Sequence, residues 1–164
     1  MNILRNRRIL IGVTGSIAAY KSADITSRLI KENAEVKVIL TESAEKFITA
    51  TTLEALSKNH VFSSDSKSSN QDYTHLELAK WADILLIAPA TANVINKIAN
   101  GYGDDLLTTT CLAYDKDLFI APAMNPEMWN NSITKSNLDK LEKNKIKIIG
   151  PDYGTHACGD TGYG

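Results

Sequence analysis

The most constraining feature of this sequence is a repeated pattern. Short apolar runs end in small residues and are followed by stretches with helical spacing. Arg8–Val13 is such a run, closed by Gly12-Val13-Thr14-Gly15-Ser16. Glu35–Leu40, with Val36, Val38 and Leu40, is another, and Ile84–Ala88, Leu118–Ala121 and Ile146–Ile149 repeat the theme. Runs this short, bounded by turn residues, read as strands buried on both faces. Between the first two, Ile17–Asn33 sets Ile17, Ala18, Ile25, Leu29 and Ile30 against Lys21, Asp24, Arg28 and Lys31, the spacing of an amphipathic helix. Short helical pieces are expected through Phe47 and over Thr51–Ser57. Longer ones are expected over Thr74–Ala82 (with Thr74 as N-cap), Ala92–Ala99, Leu106–Tyr114 and Thr134–Asn144.

Strands alternating with helices imply βαβ crossovers, and hence a parallel sheet covered by helices. The expected fold class is α/β: a flavodoxin-like, doubly wound parallel sheet of five to six strands in three layers, with any ligand beyond the carboxyl ends of the strands. The chain has 164 residues, of which 43% are hydrophobic, enough for one domain with its own core. Residues 1–164 are therefore read as one domain. Its low-complexity stretch Ser63–Asp72 suggests a mobile loop over 62–73, and 151–164 is read as a loop-like flap. A formal net charge of -1, with no basic run beyond Arg5, Arg7 and Arg8, argues against a nucleic-acid partner. The basic and apolar N-terminus resembles a signal peptide, but Gly12, Thr14, Gly15 and Ser16 interrupt its apolar stretch, and a buried first strand explains it better. No apolar run reaches 18 residues, so no membrane span is expected, and a cytoplasmic location is. The two cysteines, Cys111 and Cys158, have different surroundings; they could pair, but reduced thiols are the commoner outcome in a cytosolic protein. No His and Cys pair has structural-zinc spacing, and no metal is expected.

The strand ends should carry the chemistry. After the first strand, Thr14-Gly15-Ser16-Ile17 offers free helix-start amides and the Thr14 and Ser16 hydroxyls, an anion site or a plain β–α turn. It lacks the spacing of the dinucleotide fingerprint and the Gly-Lys-Ser/Thr of a P-loop. Ser43 follows the second strand, as a helix cap or a ligand hydroxyl. Ala88-Pro89-Ala90-Thr91-Ala92-Asn93 follows the third, where small side chains would admit a flat ligand beside the polar Thr91 and Asn93. The fourth leads into Pro122-Ala123-Met124-Asn125-Pro126-Glu127-Met128-Trp129, two prolines bracketing an amide suited to a carboxylate; Met124, Met128 and Trp129 also suit packing. The glycine-rich end carries His156 and Cys158, and its cysteine suits a proton donor, a redox thiol or an incidental residue. His75 opens the helix before the third strand, as a surface group or a base.

Taken in order, these strings resemble the flavin-containing cysteine decarboxylase family over nearly the whole chain. The resemblance rests on Gly12–Lys21, on His75–Asp83, on Ala88–Asn93, on the P-x-M-N-x-x-M-W string from Pro122 to Trp129, and on Ala157-Cys158-Gly159-Asp160 with Gly162 and Gly164. It implies FMN in a flavodoxin-like fold, surrounded by Gly15, Ser16, Ile17, Ser43, Thr91, Ala92, Asn93, Val94 and Ala123. It further implies His75 as a base, Asn125 as the holder of the substrate carboxylate, and Cys158 as a proton donor, with Met124, Ala157 and Gly159 beside the substrate. Homotrimers, often grouped into dodecamers, are implied as the assembly. The resemblance is nearest to the bacterial branch, whose substrate is 4'-phosphopantothenoylcysteine and whose product, 4'-phosphopantetheine, serves coenzyme A biosynthesis. There a phosphopantothenate–cysteine ligase domain follows, so the end at Gly164 is read as a cut within the flap of a longer polypeptide. Decarboxylation of a peptide C-terminal cysteine and a non-catalytic flavin-binding regulatory role are the alternatives within the family.

The implied chemistry suits these residue types. A cysteine-derived carboxylate has no sink for the electron pair left when carbon dioxide departs. Oxidation of the thiol to a thioaldehyde creates one; loss of carbon dioxide gives an enethiolate, and return of a hydride and a proton gives the product. A neutral Asn125 orients the carboxylate without stabilising its charge so strongly that the reaction stalls.

Overall fold

The computed structural model describes residues 3–63, 74–155, 157 and 159–164. Strand β1 (Arg8–Val13) passes through a 3-10 turn at Ile17–Tyr20 into α1 (Lys21–Lys31). Then follow β2 (Glu35–Leu40), a 3-10 turn at Ala44–Lys46, α2 (Ala50–Ser57) and β3 (Val61–Phe62). The next elements are α3 (Thr74–Trp81), β4 (Ile84–Ala90), α4 (Ala92–Ala99), α5 (Leu106–Ala113) and β5 (Asp117–Pro122). Last come α6 (Pro126–Asn130), α7 (Ser132–Lys143), β6 (Lys147–Ile148), and a hairpin of β7 (Tyr153–Thr155) with β8 (Thr161–Tyr163).

Six strands form one parallel sheet in the order β3-β2-β1-β4-β5-β6. Setting aside the two-residue edge strand β3, this is the flavodoxin-like order that the strand–helix alternation predicts. The chain steps from β1 to β3 in one direction and from β4 to β6 in the other. Right-handed crossovers then place α1 and α2 on one face, and α3, α4, α5 and α7 on the other.

The alternation of side chains along each strand divides the core to match. Ile9, Ile11, Val13, Val36, Val38 and Leu40 pack with Ala19 and Leu53 on the α1 side. Leu10, Ile39, Leu85, Ile87, Leu118 and Ile120 pack with Leu78, Ile95, Leu107 and Leu138 on the other. Each fully buried Leu or Ile contributes about 2 kcal/mol of transfer free energy. Because α1 and α2 cover the β1–β3 half, Leu86 and Phe119 on the same face of β4 and β5 stay half-exposed. Gly12 lets α5 reach the sheet: a Cβ there would lie 2.5 Å from Leu107 Cδ1.

Three local expectations differ from the structure. Val61 and Phe62 add a sixth strand by pairing with Val38 and Ile39, so the expected loop over 62–73 begins later, and its residues 64–73 lie outside the described residues. The helix expected over Ile17–Asn33 opens as a 3-10 turn, because Ser16 caps it by accepting from the Ala18 N–H two residues on. The loop-like end contains an antiparallel hairpin, Tyr153↔Tyr163, Gly154↔Gly162 and Thr155↔Thr161. Among the described residues no helix is long and apolar enough to cross a membrane, and no group of three or more His, Cys, Asp or Glu could hold a metal ion.

Candidate active site

The loops leaving β1, β2, β4 and β5 meet at the carboxyl edge of the sheet, where they are joined one to the next. The Thr41 N–H and hydroxyl both donate to the Val13 carbonyl, at 3.1 and 3.2 Å, tying the second loop to the first. Thr14 is buried; its hydroxyl donates to the Pro89 carbonyl at 2.7 Å and accepts from the Thr91 N–H at 3.1 Å, tying the first loop to the β4 loop. The Ala123 N–H donates to the Ala90 carbonyl at 2.9 Å, tying in the β5 loop. Strand order reverses between β1 and β4, where open α/β sheets hold their ligands, and the Thr14 bonds span that point. The Thr14 hydroxyl is thus engaged by backbone groups rather than facing a ligand beside Ser16, a correction that only the tertiary structure reveals.

Gly15 and Ser43 approach each other closely. A Cβ on residue 15 would lie 2.6 Å from Ser43 Oγ and 3.0 Å from its carbonyl carbon, so only glycine fits without displacing the second loop. Ser16 accepts from the Ala18 N–H at 3.1 Å, and the Ser43 hydroxyl shares a 3.2 Å bond with Thr41. Ile17 is 61% exposed beside them. Across the switch point Thr91 caps α4, its hydroxyl accepting from the Val94 N–H at 3.3 Å. The amides of Ala92 and Asn93, in the first helical turn, have no intrahelical acceptor and carry the positive end of the helix dipole. Val94 itself is a core residue and meets the edge only through its backbone.

Asn125 is the N-cap of α6, with Pro126 at the first helical position. Its Oδ1 accepts from the Met128 N–H at 2.9 Å. The cap therefore decides which half of the amide is free: the Nδ2 hydrogens, a donor pair. This role is readable from Asn-Pro followed by Glu127, a helix-start signature. Met124, next to it, is half-buried against the main core. His75, second residue of α3, is half-buried. Since α3 runs opposite to the strands it connects, its first turn lies toward the same carboxyl edge. Its other end is pinned by Lys116, whose Nζ donates to the carbonyls of Lys80 and Ala82.

Ala157 and Gly159 are exposed, while His156 and Cys158 lie outside the described residues. The other cysteine, Cys111, is a core residue of α5, and burial pushes its thiol up to about 12, far from the range of a working acid. The donor set at the edge fits a phosphate-bearing flat ligand: two open helix amides, the Ser16 and Ser43 hydroxyls, and the small, half-buried Ala123, whereas Ala88 and Ala90 are buried and face no ligand.

Fold and edge together define a doubly wound α/β domain whose candidate site lies at the topological switch point. The chain belongs to the flavoprotein family, whose model matches residues 2–164. It is 46% identical over 167 residues to the coenzyme A biosynthesis bifunctional protein CoaBC of Vibrio vulnificus, covering 100% of this chain and 41% of that protein. The chain thus spans about two fifths of the length of the curated relatives it matches. Among solved structures it is 37% identical to a PPC decarboxylase variant complexed with pantothenoylaminoethenethiol, with a TM-score of 0.84, covering 98% of this chain and 90% of that one. It is 30% identical to the FMN-dependent cysteine decarboxylase SpaF, with a TM-score of 0.87, covering 98% of this chain and 91% of that one.

Proposed function

We propose that this chain is an FMN-dependent decarboxylase of 4'-phosphopantothenoylcysteine, forming 4'-phosphopantetheine. The observation that carries the reading is Asn125. Its cap bond leaves a neutral donor pair free at the carboxyl edge, next to loops whose donors suit a phosphate-bearing cofactor. The likeness to a PPC decarboxylase and to coenzyme A biosynthesis proteins supports the substrate, and the likeness to an FMN-dependent decarboxylase supports the cofactor. Gly15, Ser16, Ile17, Ser43, Thr91, Ala92, Asn93, Val94 and Ala123 would hold the cofactor. When bound, FMN supplies a two-electron acceptor for the substrate thiol and returns the electrons after carbon dioxide has left.

The chain's own residues supply position and protons. The Asn125 Nδ2 donates to the substrate carboxylate and orients it, and being neutral it holds the charge loosely enough for it to depart as carbon dioxide. His75 removes a proton from the substrate as the thiol carbon is oxidised, and Cys158 returns one to the enethiolate. The flap with Ala157 and Gly159, together with Met124, borders the substrate. We further propose that the domain works in the cytoplasm as a homotrimer, grouped into dodecamers, in a polypeptide that also carries a phosphopantothenate–cysteine ligase.

The test is direct. Purified protein loaded with FMN is incubated with 4'-phosphopantothenoylcysteine, and separately with a peptide ending in cysteine. Carbon dioxide and 4'-phosphopantetheine from the first alone are the expected result. Protein that takes up no FMN, or that decarboxylates only the peptide, overturns the reading.

A further inference from the structure

We infer that Gly162 is a positioning residue that seats the terminal hairpin on the helix bearing Asn125. The inference rests on the role proposed above for that residue.

Strand β8 is short and its ends face outward: Tyr163 is 54% exposed, and Thr161 is exposed. Gly162 between them is buried, because it lies against Pro126 at the first position of α6. A Cβ on residue 162 would fall 2.8 Å from Pro126 Cγ and 2.9 Å from its Cβ. A proline ring cannot rotate out of the way. To regain ordinary contact at about 3.5–4 Å, the hairpin would have to lift by roughly one ångström.

The opposite strand supplies an internal comparison. Gly154 pairs directly with Gly162, yet a Cβ there would meet nothing within 4 Å. On the far face Tyr153 and Tyr163 meet edge to face at 5.2 Å, so the two strands move as one unit. Pro126 follows Asn125, and its ring is fixed relative to the cap. The Gly162–Pro126 contact therefore sets how closely β7 and β8 approach the start of α6, whose cap is Asn125. The turn joining β7 and β8 carries Ala157 and Gly159. A displacement of about one ångström at a positioned substrate costs up to a hundred-fold in rate.

The test compares Gly162→Ala, Gly154→Ala, Pro126→Gly and the double variant Gly162→Ala with Pro126→Gly, all loaded with FMN. Gly162→Ala should lose ten- to a hundred-fold in kcat/KM for 4'-phosphopantothenoylcysteine, with FMN content and visible spectrum unchanged. Gly154→Ala should stay within about two-fold of wild type. Pro126→Gly removes both clashing ring atoms, so the double variant should recover at least about five-fold over Gly162→Ala. Gly162→Ala behaving like Gly154→Ala, or showing no recovery in the double variant, overturns the inference. Hydrogen exchange of the amides of residues 161–163 provides a readout independent of turnover. It should accelerate in Gly162→Ala and in Pro126→Gly, but not in Gly154→Ala. If wild type binds FMN but decarboxylates nothing, the functional reading falls and exchange alone judges the seat: acceleration supports it, and unchanged exchange refutes it.

Discussion

Replacing Thr14 with Val tests whether the candidate site is built as one hydrogen-bonded edge. The side chain keeps its shape and loses its hydroxyl. In the native fold that hydroxyl satisfies the buried Pro89 carbonyl at 2.7 Å and the Thr91 N–H at 3.1 Å. Thr14 itself is 3% exposed, so water has no easy path to replace it. Each backbone group left unpaired in the interior costs about 1–3 kcal/mol. The Thr91 N–H lies nearer the surface and falls at the low end, so the variant should lose about 2–4 kcal/mol. For a chain of this length that lowers the melting temperature by roughly 5–15 °C. Thr14→Ser keeps the donor and acceptor while giving up only a methyl group, and should lose about 1 kcal/mol or less. Urea denaturation of the three FMN-free proteins measures the difference. FMN titration of the same set should show weaker binding for the valine variant, because the bonds broken hold the α4 start in place. Thr14→Val unfolding within about 0.5 kcal/mol of wild type, a range typical of surface substitutions, would refute the idea that this hydroxyl joins the two halves of the edge.

Three other outcomes are expected. Gly15→Ala should weaken FMN binding at least ten-fold by flavin-fluorescence titration, since its Cβ would sit 2.6 Å from Ser43 Oγ and push the second loop away. Asn125→Asp should keep the helix cap, and hence the melting temperature, because Asp caps as well as Asn; with an acceptor and a negative charge facing the substrate carboxylate, kcat/KM should fall about a hundred-fold or more while FMN uptake is unchanged. Asp83→Asn tests the opposite edge of the sheet. There Arg8, through its guanidinium and then its backbone N–H, holds the Asp83 carboxyl at about 2. A folded pKa below the unfolded one stabilises above the unfolded value, and that stability is lost as pH falls from about 4 towards 2. The variant should therefore be about 1 kcal/mol less stable at pH 7, discounted for partial exposure, and the gap should close near pH 2 in acid titrations of unfolding.

What could be read in advance follows from the range of each interaction. β1 and β2 match their predicted bounds because each carries its signal locally: the continuous apolar run Ile9-Leu10-Ile11 in one, and Val36, Val38, Ile39 and Leu40 around Lys37 in the other. β3 has only Val61 and Phe62 between His60 and Ser63, too few residues for any period to show. It exists because Val38 and Ile39 offer an open edge to pair with. The terminal hairpin leaves no mark in the sequence for a related reason. Its strands hold no apolar side chains beyond two tyrosines and gain their footing on Pro126, some 36 residues away in sequence.

The candidate site divides along the same line. Its donors were legible because a helix start after a strand advertises itself locally: Ser16, Thr91 and Asn125 all prove to be N-caps. Which atoms those residues leave free was not legible, because that depends on partners distant in the chain or on the cap itself. Thr14 is the clearest instance. It reads as one more polar group at the ligand edge, yet its hydroxyl is consumed by backbone 75 residues on. Asn125 is the converse: the cap consumes one end of its amide and thereby aims the other. An edge assembled this way needs few side chains that serve only as ligands. Backbone amides that the caps leave unengaged can do much of the holding, and the capping side chains set where those amides point. A substitution that spares every ligand-facing atom but breaks a cap or a joining bond should then damage the site as much as removing a ligand-facing group does.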